Sequence, residues 1–177
     1  MSSPVFVFTV TETPSTQFLV NPDSDPVAIR VEGKANFKNS ATIKDFIERM
    51  LKQGKRSLVM DFEACTGMDS TFLGVIAGAA LQLRKCEPRG SLVLTHLNER
   101  NDELVHNLGL NRLLTVDNGQ SVSAEDTAFL QHTLVSDEIA AARQVLEAHR
   151  NLVEADDHNA AKFRDVMDYC RQQIDGS

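Results

Sequence analysis

Apolar positions along the first 119 residues alternate in short runs and then recur at threes and fours, predicting strands and helices in turn. Val5 to Val10 is β-rich, and Gln17 to Val20 is a second short extended piece beyond Pro14; together they make one hairpin or an interrupted edge strand. After Pro26, Val27, Ile29 and Val31 alternate with less apolar neighbours as in a half-buried strand, and Gly33 ends it. A polar loop, Lys34 to Ser40, leads into Ile43, Phe46, Ile47, Met50 and Leu51, whose spacing draws an amphipathic helix stopped near Gly54. A strand over Ser57 to Phe62 and a helix from Ser70 to Cys86 follow, with Glu87-Pro88-Arg89-Gly90 as the stop. Next come a strand over Ser91 to Thr95, a helix through Leu104, Val105 and Leu108 ending at Gly109, and extended Leu113 to Val116. Strands joined by helices of these lengths require right-handed crossovers, so the fold class is α/β: a mixed or largely parallel sheet with helices packed on it.

Asp117-Asn118-Gly119 punctuates the chain, and beyond it the pattern becomes wholly helical. Ser123 and Asp126 resemble a capping box ahead of Phe129, Leu130 and Leu134, and Ser136-Asp137-Glu138 suits a helix start. Val135, Ile139, Ala142, Leu146, His149 and Val153 form a heptad-like seam; Ala160, Phe163, Met167, Cys170 and Ile174 continue it after the Asp156-Asp157-His158-Asn159 break. The expected division is therefore a sheet domain over 1–119 and a helical extension of two or three helices over 120–177. Helices this short cannot bury their stripes alone. A hairpin docked on the sheet domain is one solution and a homodimer built through these helices is another, since the seams are too short for an independent coiled coil.

Charge supports the same division. The net charge is −7, and residues 120–177 hold 5 Lys and Arg against 11 Asp and Glu, so the extension carries nearly all of the excess. This balance argues against nucleic acid as a partner, because such binding neutralises phosphates with clustered cations. The run Lys52 to Arg56 is too short to reverse it and reads as a solvated helix end. With 177 residues and 42% hydrophobic content the chain suits one domain plus an appendage. No apolar window is long enough for direct membrane insertion and the N-terminus lacks a signal-peptide pattern, so the expected localisation is cytoplasmic. Cys65, Cys86 and Cys170 show no CxxC spacing and read as buried thiols in a reducing compartment.

The helix beginning at Ser70 is unusually small in its interior, with Gly74 and Gly78 among alanines. Each glycine costs roughly 1 kcal/mol relative to alanine in a helix, which points to close packing of the helix on the sheet. Ser70 stands where the first helical N–H groups lack partners and the dipole is positive, so its hydroxyl can cap the helix or carry a phosphate. Either Ser70 or Asp69 suits an ordinary cap. Catalysis finds little support: no glycine-rich phosphate loop, GxSxG elbow or HExxH pair occurs, and sequence assigns Ser70 no histidine as base. His149 on the seam reads as a partly buried polar residue rather than a ligand. Asp156-Asp157-His158 reads as an exposed interhelical turn rather than a metal cluster, and no cofactor is expected.

The order of elements over residues 5 to 118, with Leu58-Val59-Met60-Asp61-Phe62 and then Met68-Asp69-Ser70-Thr71-Phe72-Leu73-Gly74-Val75, resembles a STAS domain of the bacterial anti-sigma factor antagonist group. In that family an Asp-Ser-Ser-Gly-Leu-Gly type sequence follows the strand, and the serine after the aspartate is phosphorylated by an anti-sigma factor that is also a serine kinase. The resemblance implies that Ser70 is that serine, Asp69 the preceding acid, Leu73-Gly74 the Leu-Gly, and Thr71 the second serine position. It also implies a non-enzymatic regulator with a partner surface at Asn36, Phe37, Asp69, Ser70, Thr71, Phe72 and Leu73. Two departures stand out. Phe72 replaces the usual glycine and is expected to put a bulky ring at the edge of that surface. Asn36 replaces a common aspartate, keeping hydrogen bonding while dropping the charge. Two other readings belong to the same fold: a non-phosphorylated scaffold or lipid-transport accessory subunit, and a small-ligand sensor with a pocket under the tail.

Overall fold

The computed structural model describes residues 16–119, 122, 127–131, 135 and 137–176. The strand expected at Val5 to Val10 lies outside them, as does the Ser123–Asp126 capping box. The sheet contains β1 (Gln17–Asn21), β2 (Val27–Ala35), β3 (Ser57–Asp61), β4 (Cys65–Met68), β5 (Ser91–Thr95), β6 (Thr115–Val116) and β7 (Ala128–Phe129). Its order is β6-β5-β3-β2-β1-β7, with β4 paired to the far end of β2. The pairs β2/β3, β3/β5 and β5/β6 are parallel, while β1 is antiparallel to both β2 and β7.

Strand alternation decides the layers. Phe18, Val20, Val27, Ile29, Val31, Leu58, Met60, Leu92 and Leu94 all point to one face and are buried. On that face lie α1 (Ser40–Lys52), α2 (Ser70–Lys85) and α3 (Glu99–Asn107), which contribute Ile43, Phe46, Ile47, Met50, Leu73, Ile76, Leu83 and Val105 to the same core. The opposite face carries a small cluster of Ala28, Val59 and Val122. The mixed α/β sheet with helices packed on it is the expected class, and the three crossovers through α1, α2 and α3 return the chain parallel.

Four local differences separate the structure from the sequence pattern. Gly33 does not end β2; it sits at φ 83°, and the register shifts between Gly33 and Lys34 before pairing resumes with β4. β4 itself, Cys-Thr-Gly-Met, is too short and mixed to announce a strand. The Leu113 to Val116 segment is strand only at its last two residues, following a 3-10 turn at Leu110–Arg112. Phe129 belongs to a strand rather than a helix: β7 pairs with β1, Leu130 N–H donates to Phe18 C=O at 2.9 Å, and Phe129 is 65% exposed instead of anchoring an apolar stripe. Among the described residues the helical part thus begins at the Asp137 cap, not directly after Gly119.

Asp137 caps α4 (Glu138–Ala155) by accepting the Ala140 N–H at 2.7 Å. A short α5 (Asn159–Lys162) and α6 (Arg164–Asp175) complete the chain. The predicted seam joins α4 to α6: Leu146, Met167 and Cys170 form a cluster with Ala142, Val153, Phe163 and Ile174. A second stripe of α4, Ala148 and Leu152, enters the main core against α2. The extension is therefore a helical hairpin seated on the sheet domain, and no helix among the described residues is long and apolar enough to cross a membrane. Cys65 and Cys170 are buried, but Cys86 is only half-buried at the end of α2.

Candidate functional site

At the N-terminus of α2, Asp69 holds two elements together. Its Oδ1 accepts the Phe72 N–H at 2.9 Å and caps the helix; its Oδ2 accepts the Phe37 N–H at 2.8 Å from the loop between β2 and α1. Because Asp69 serves as the cap, Ser70 is the first helical residue and its hydroxyl is available for another partner. Asn36 accepts the Lys38 N–H at 2.9 Å and stays within its own turn, which Asn39 closes through the Asn36 N–H. The loop thus presents Phe37, 48% exposed, beside Asp69.

Three expected surface residues face inward. Thr71, Phe72 and Leu73 are buried, and the Phe72 ring stacks on Phe18 with centroids 6.1 Å apart and meets Phe62 edge-on at 6.5 Å. The ring at position 72 fills the core rather than bordering a partner surface, because the third helical residue looks toward the sheet. Of the seven residues expected to meet a partner, Asn36, Phe37, Asp69 and Ser70 reach the surface.

Ser70 is half-buried, and what covers it is α4. Its Oγ lies 2.9 Å from Nε2 of His149, a residue 79 positions away. His149 Nδ1 lies 2.7 Å from the Val145 carbonyl, which can only accept, so Nδ1 carries the proton and Nε2 accepts from the Ser70 hydroxyl. The imidazole is 2% exposed and meets Phe163 edge-on at 4.8 Å. Burial pushes its pKa below the ordinary 6.5, opposed by the Val145 hydrogen bond and by the Asp69 charge. His149 is thus a fully buried partner of Ser70, not a partly exposed seam residue. Sequence could place it on the seam, but nothing in the spacing pairs it with position 70.

The small residues of α2 explain how α4 comes so close. Ser70, Gly74 and Gly78 recur every four residues along one ridge. A Cβ on Gly74 would stand 2.2 Å from the Ala148 carbonyl oxygen, and one on Gly78 would meet the Asn151 amide at 2.4 Å. The glycines serve helix-on-helix approach, not approach to the sheet. Around this contact, Asn151 donates to Gly74 C=O at 3.1 Å, Gln144 to Ser40 Oγ at 2.5 Å, Lys44 pairs with Glu147 at 2.8 Å and Lys85 with Glu154 at 3.4 Å. Between α1, α2 and α4 a cleft of about 200 Å³ remains, walled by Ile47, Val75 and Gly78 and rimmed by Lys44, Glu147 and Asn151. Further along, the Asp156 turn is not fully exposed: its carboxylate accepts both the backbone N–H and Nδ1–H of His158 and packs on Gly109 at φ 71°.

A second polar cluster sits on the other face of the sheet. Asp61, 2% exposed, accepts the His96 Nδ1–H at 3.0 Å and the Glu63 N–H at 2.9 Å, with Arg30 Nε at 3.7 Å. Internal donors and a guanidinium already satisfy this carboxylate, so it reads as a structural ion pair.

The arrangement of elements has known counterparts. Among solved structures the chain is similar to an anti-sigma factor antagonist from Mycobacterium paratuberculosis, with 19% identity and a TM-score of 0.51 over 58% of this chain and 85% of that one. It is also similar to the anti-sigma factor antagonist SpoIIAA in unphosphorylated form, at 18% identity and TM-score 0.49 over 62% and 92% of the two chains. The phosphorylated form of the Bacillus cell fate determinant SpoIIAA gives 20% identity and TM-score 0.47 over 56% and 90%. At 19% identity the likeness to the mycobacterial protein is one of fold. No curated protein matches the sequence. The family model of the STAS domain matches residues 17–122, from β1 through the segment after β6. That span exceeds half of the sequence and contains β1 to β6, α1 to α3 and Ser70, with β7 and α4 to α6 lying beyond it: the chain belongs to the STAS domain family.

Proposed function

We propose that this protein is a cytoplasmic, non-enzymatic regulator of the anti-sigma factor antagonist type, which binds an anti-sigma factor that is also a serine kinase and is switched by phosphorylation at Ser70. The observation that carries this reading is the position of Ser70: a first-turn helical hydroxyl, released from capping by Asp69 and set beside the exposed Phe37 loop. In the step itself the γ-phosphoryl group of ATP passes to Ser70 Oγ. The hydroxyl proton passes to a basic group of the kinase, an Oγ–P bond forms as the bond from phosphorus to the bridging oxygen breaks, and ADP departs. The product carries roughly −1.5 to −2 added charge at a helix start whose dipole favours an anion, so the sheet domain itself tolerates it. The outward surface does not: a dianion beside Asp69 imposes a desolvation penalty on any partner packed there, on the order of 2 to 5 kcal/mol.

Incubation with the host's anti-sigma factor kinase and ATP tests the reading. One phosphate is expected, absent from Ser70→Ala. No phosphate in either the wild type or Gly74→Ala, in which α4 is pushed aside, would sink it.

The cleft under α4 favours a second reading, a small-ligand-sensing STAS module. Native mass spectrometry of protein from its host decides this one: a bound small molecule supports it and a clean apo mass opposes it. The division of labour between residues 17–122 and the helices beyond is part of the same proposal, with the sheet domain as the partner module and the extension as its attachment.

A further inference from the structure

For Ser70 to be reached by a kinase or read by a partner, its hydroxyl must be free, and in this structure the residue is half-buried and its hydroxyl is engaged. The hydroxyl is bonded to a histidine that is itself 2% exposed, on a helix the extension supplies. We propose that α4 is a ligand in cis for the α1–α2 surface that a partner needs, and that α4 and a phosphoryl group on Ser70 exclude one another, so that phosphorylation holds the extension off. The inference rests on Ser70 being the phosphoryl acceptor, as proposed above.

Space supplies the first argument. The 2.9 Å between Ser70 Oγ and His149 Nε2 is filled by one hydrogen bond, and a phosphorus with three oxygens requires the imidazole to leave. The ring cannot leave by rotation alone, since Nδ1 is tied to the Val145 carbonyl at 2.7 Å and its side lies against Phe163. Nor can the helix slide a little, because the Ala148 backbone already rests on Gly74 with no room for a single carbon between them. Close-packed interfaces of this kind shift between discrete arrangements rather than deform.

Charge supplies the second argument. A phosphate trapped under α4 would lie beside the Asp69 carboxylate and against His149, whose charged form burial disfavours. Lys44 and Lys85 are engaged with Glu147 and Glu154 of α4 itself. Burying a dianion beside Asp69 costs more than the polar contacts that seat the helix return. Those contacts are hydrogen bonds to Ser40 Oγ and Gly74 C=O and two ion pairs, joined by Ala148 and Leu152 in the core, of the kind another helix carrying a small and an apolar residue, an acid and an amide could replace. The surface therefore fits an amphipathic helix of a partner with that pattern, in competition with α4.

The test uses the full chain and no kinase. Phosphoserine is installed at position 70 by suppression during expression, and amide hydrogen exchange is followed in α4, β3 and β5. Protection across Glu138–Ala155 is expected to fall by about tenfold or more while the two strands keep theirs; unchanged or increased α4 protection overturns the proposal. As a separate arm, Ser70→Cys is treated with N-ethylmaleimide and the modification mapped to position 70. Adding Gly74→Ala, which favours α2 as a helix but collides with Ala148, is expected to speed that alkylation by about tenfold or more. Equal rates with and without Gly74→Ala overturn the covering role of α4. Neither arm depends on a kinase, so a chain that no kinase modifies defeats the functional reading while leaving these outcomes to judge the inference.

Discussion

The two long sides of α2 are built on opposite principles. Toward the sheet it offers Phe72, Leu73, Ile76 and Leu83, all nearly or fully buried in one continuous core. Toward α4 it offers Ser70, Gly74 and Gly78, and the contact consists of backbone approach, hydrogen bonds and ion pairs with Ala148 and Leu152 as its apolar part. The first side creates the domain; the second accepts a cover. Large side chains interdigitate and commit the helix to one seat, whereas a glycine ridge lets a neighbour come very close with little apolar area holding it there.

Breaking the sheet side should have the largest effect. Phe72→Ala removes a ring packed against Phe18 and Phe62 and is expected to lower global stability by about 3 to 5 kcal/mol, seen as an earlier cooperative midpoint in denaturant. A local loss confined to α4 would contradict the comparison. Leu152→Ala attacks the other side from α4. Its cost, about 2 kcal/mol or more, should appear as faster hydrogen exchange within α4 while β3 and β5 hold; a uniform loss through the sheet would mean that α4 is part of the domain's cooperative unit.

Acid sharpens the comparison further. His149 is held below its ordinary pKa by burial, so docking favours the neutral ring and releases a proton. The contribution is complete above the unfolded value of 6.5 and is lost as the pH falls below it toward the depressed folded value. Asp69 works against this by favouring the charged form, and burial is the larger influence. Exchange in α4, corrected for intrinsic rates, should quicken between about pH 7 and about pH 5 in the wild type and stay flat in His149→Gln. A flat wild-type profile removes His149 as a pH-dependent contact. The smallest effect belongs to Lys85→Ala: its pair with Glu154 is well exposed on both sides, so stability should move by less than about 0.5 kcal/mol. A larger change would show that the rim of the α4 seat carries more than screened charge.

Much of this was legible in the chain because local pattern and global fold agree. Val27, Ile29 and Val31 announce β2, the run Ser91 to Thr95 coincides with β5, and Asp69-Ser70 marks the start of α2. β4 and β7 escaped because two to four mixed residues carry no period of their own; they are strands only by pairing with β2 and β1. The inward turn of Phe72 escaped for a related reason, since a motif places a residue along the chain but not on a helix face.

By itself the sequence determined the layered α/β class, a helical extension near the C-terminus, the small ridge of α2 and the serine at its first turn, because each follows from side-chain periodicity and helix-end chemistry within a few residues. Only the tertiary structure decided that the ridge receives α4 rather than the sheet, and that His149 closes over Ser70. That pairing joins side chains 79 positions apart through a contact whose geometry depends on two helices meeting at their backbones, and no local preference encodes such a meeting.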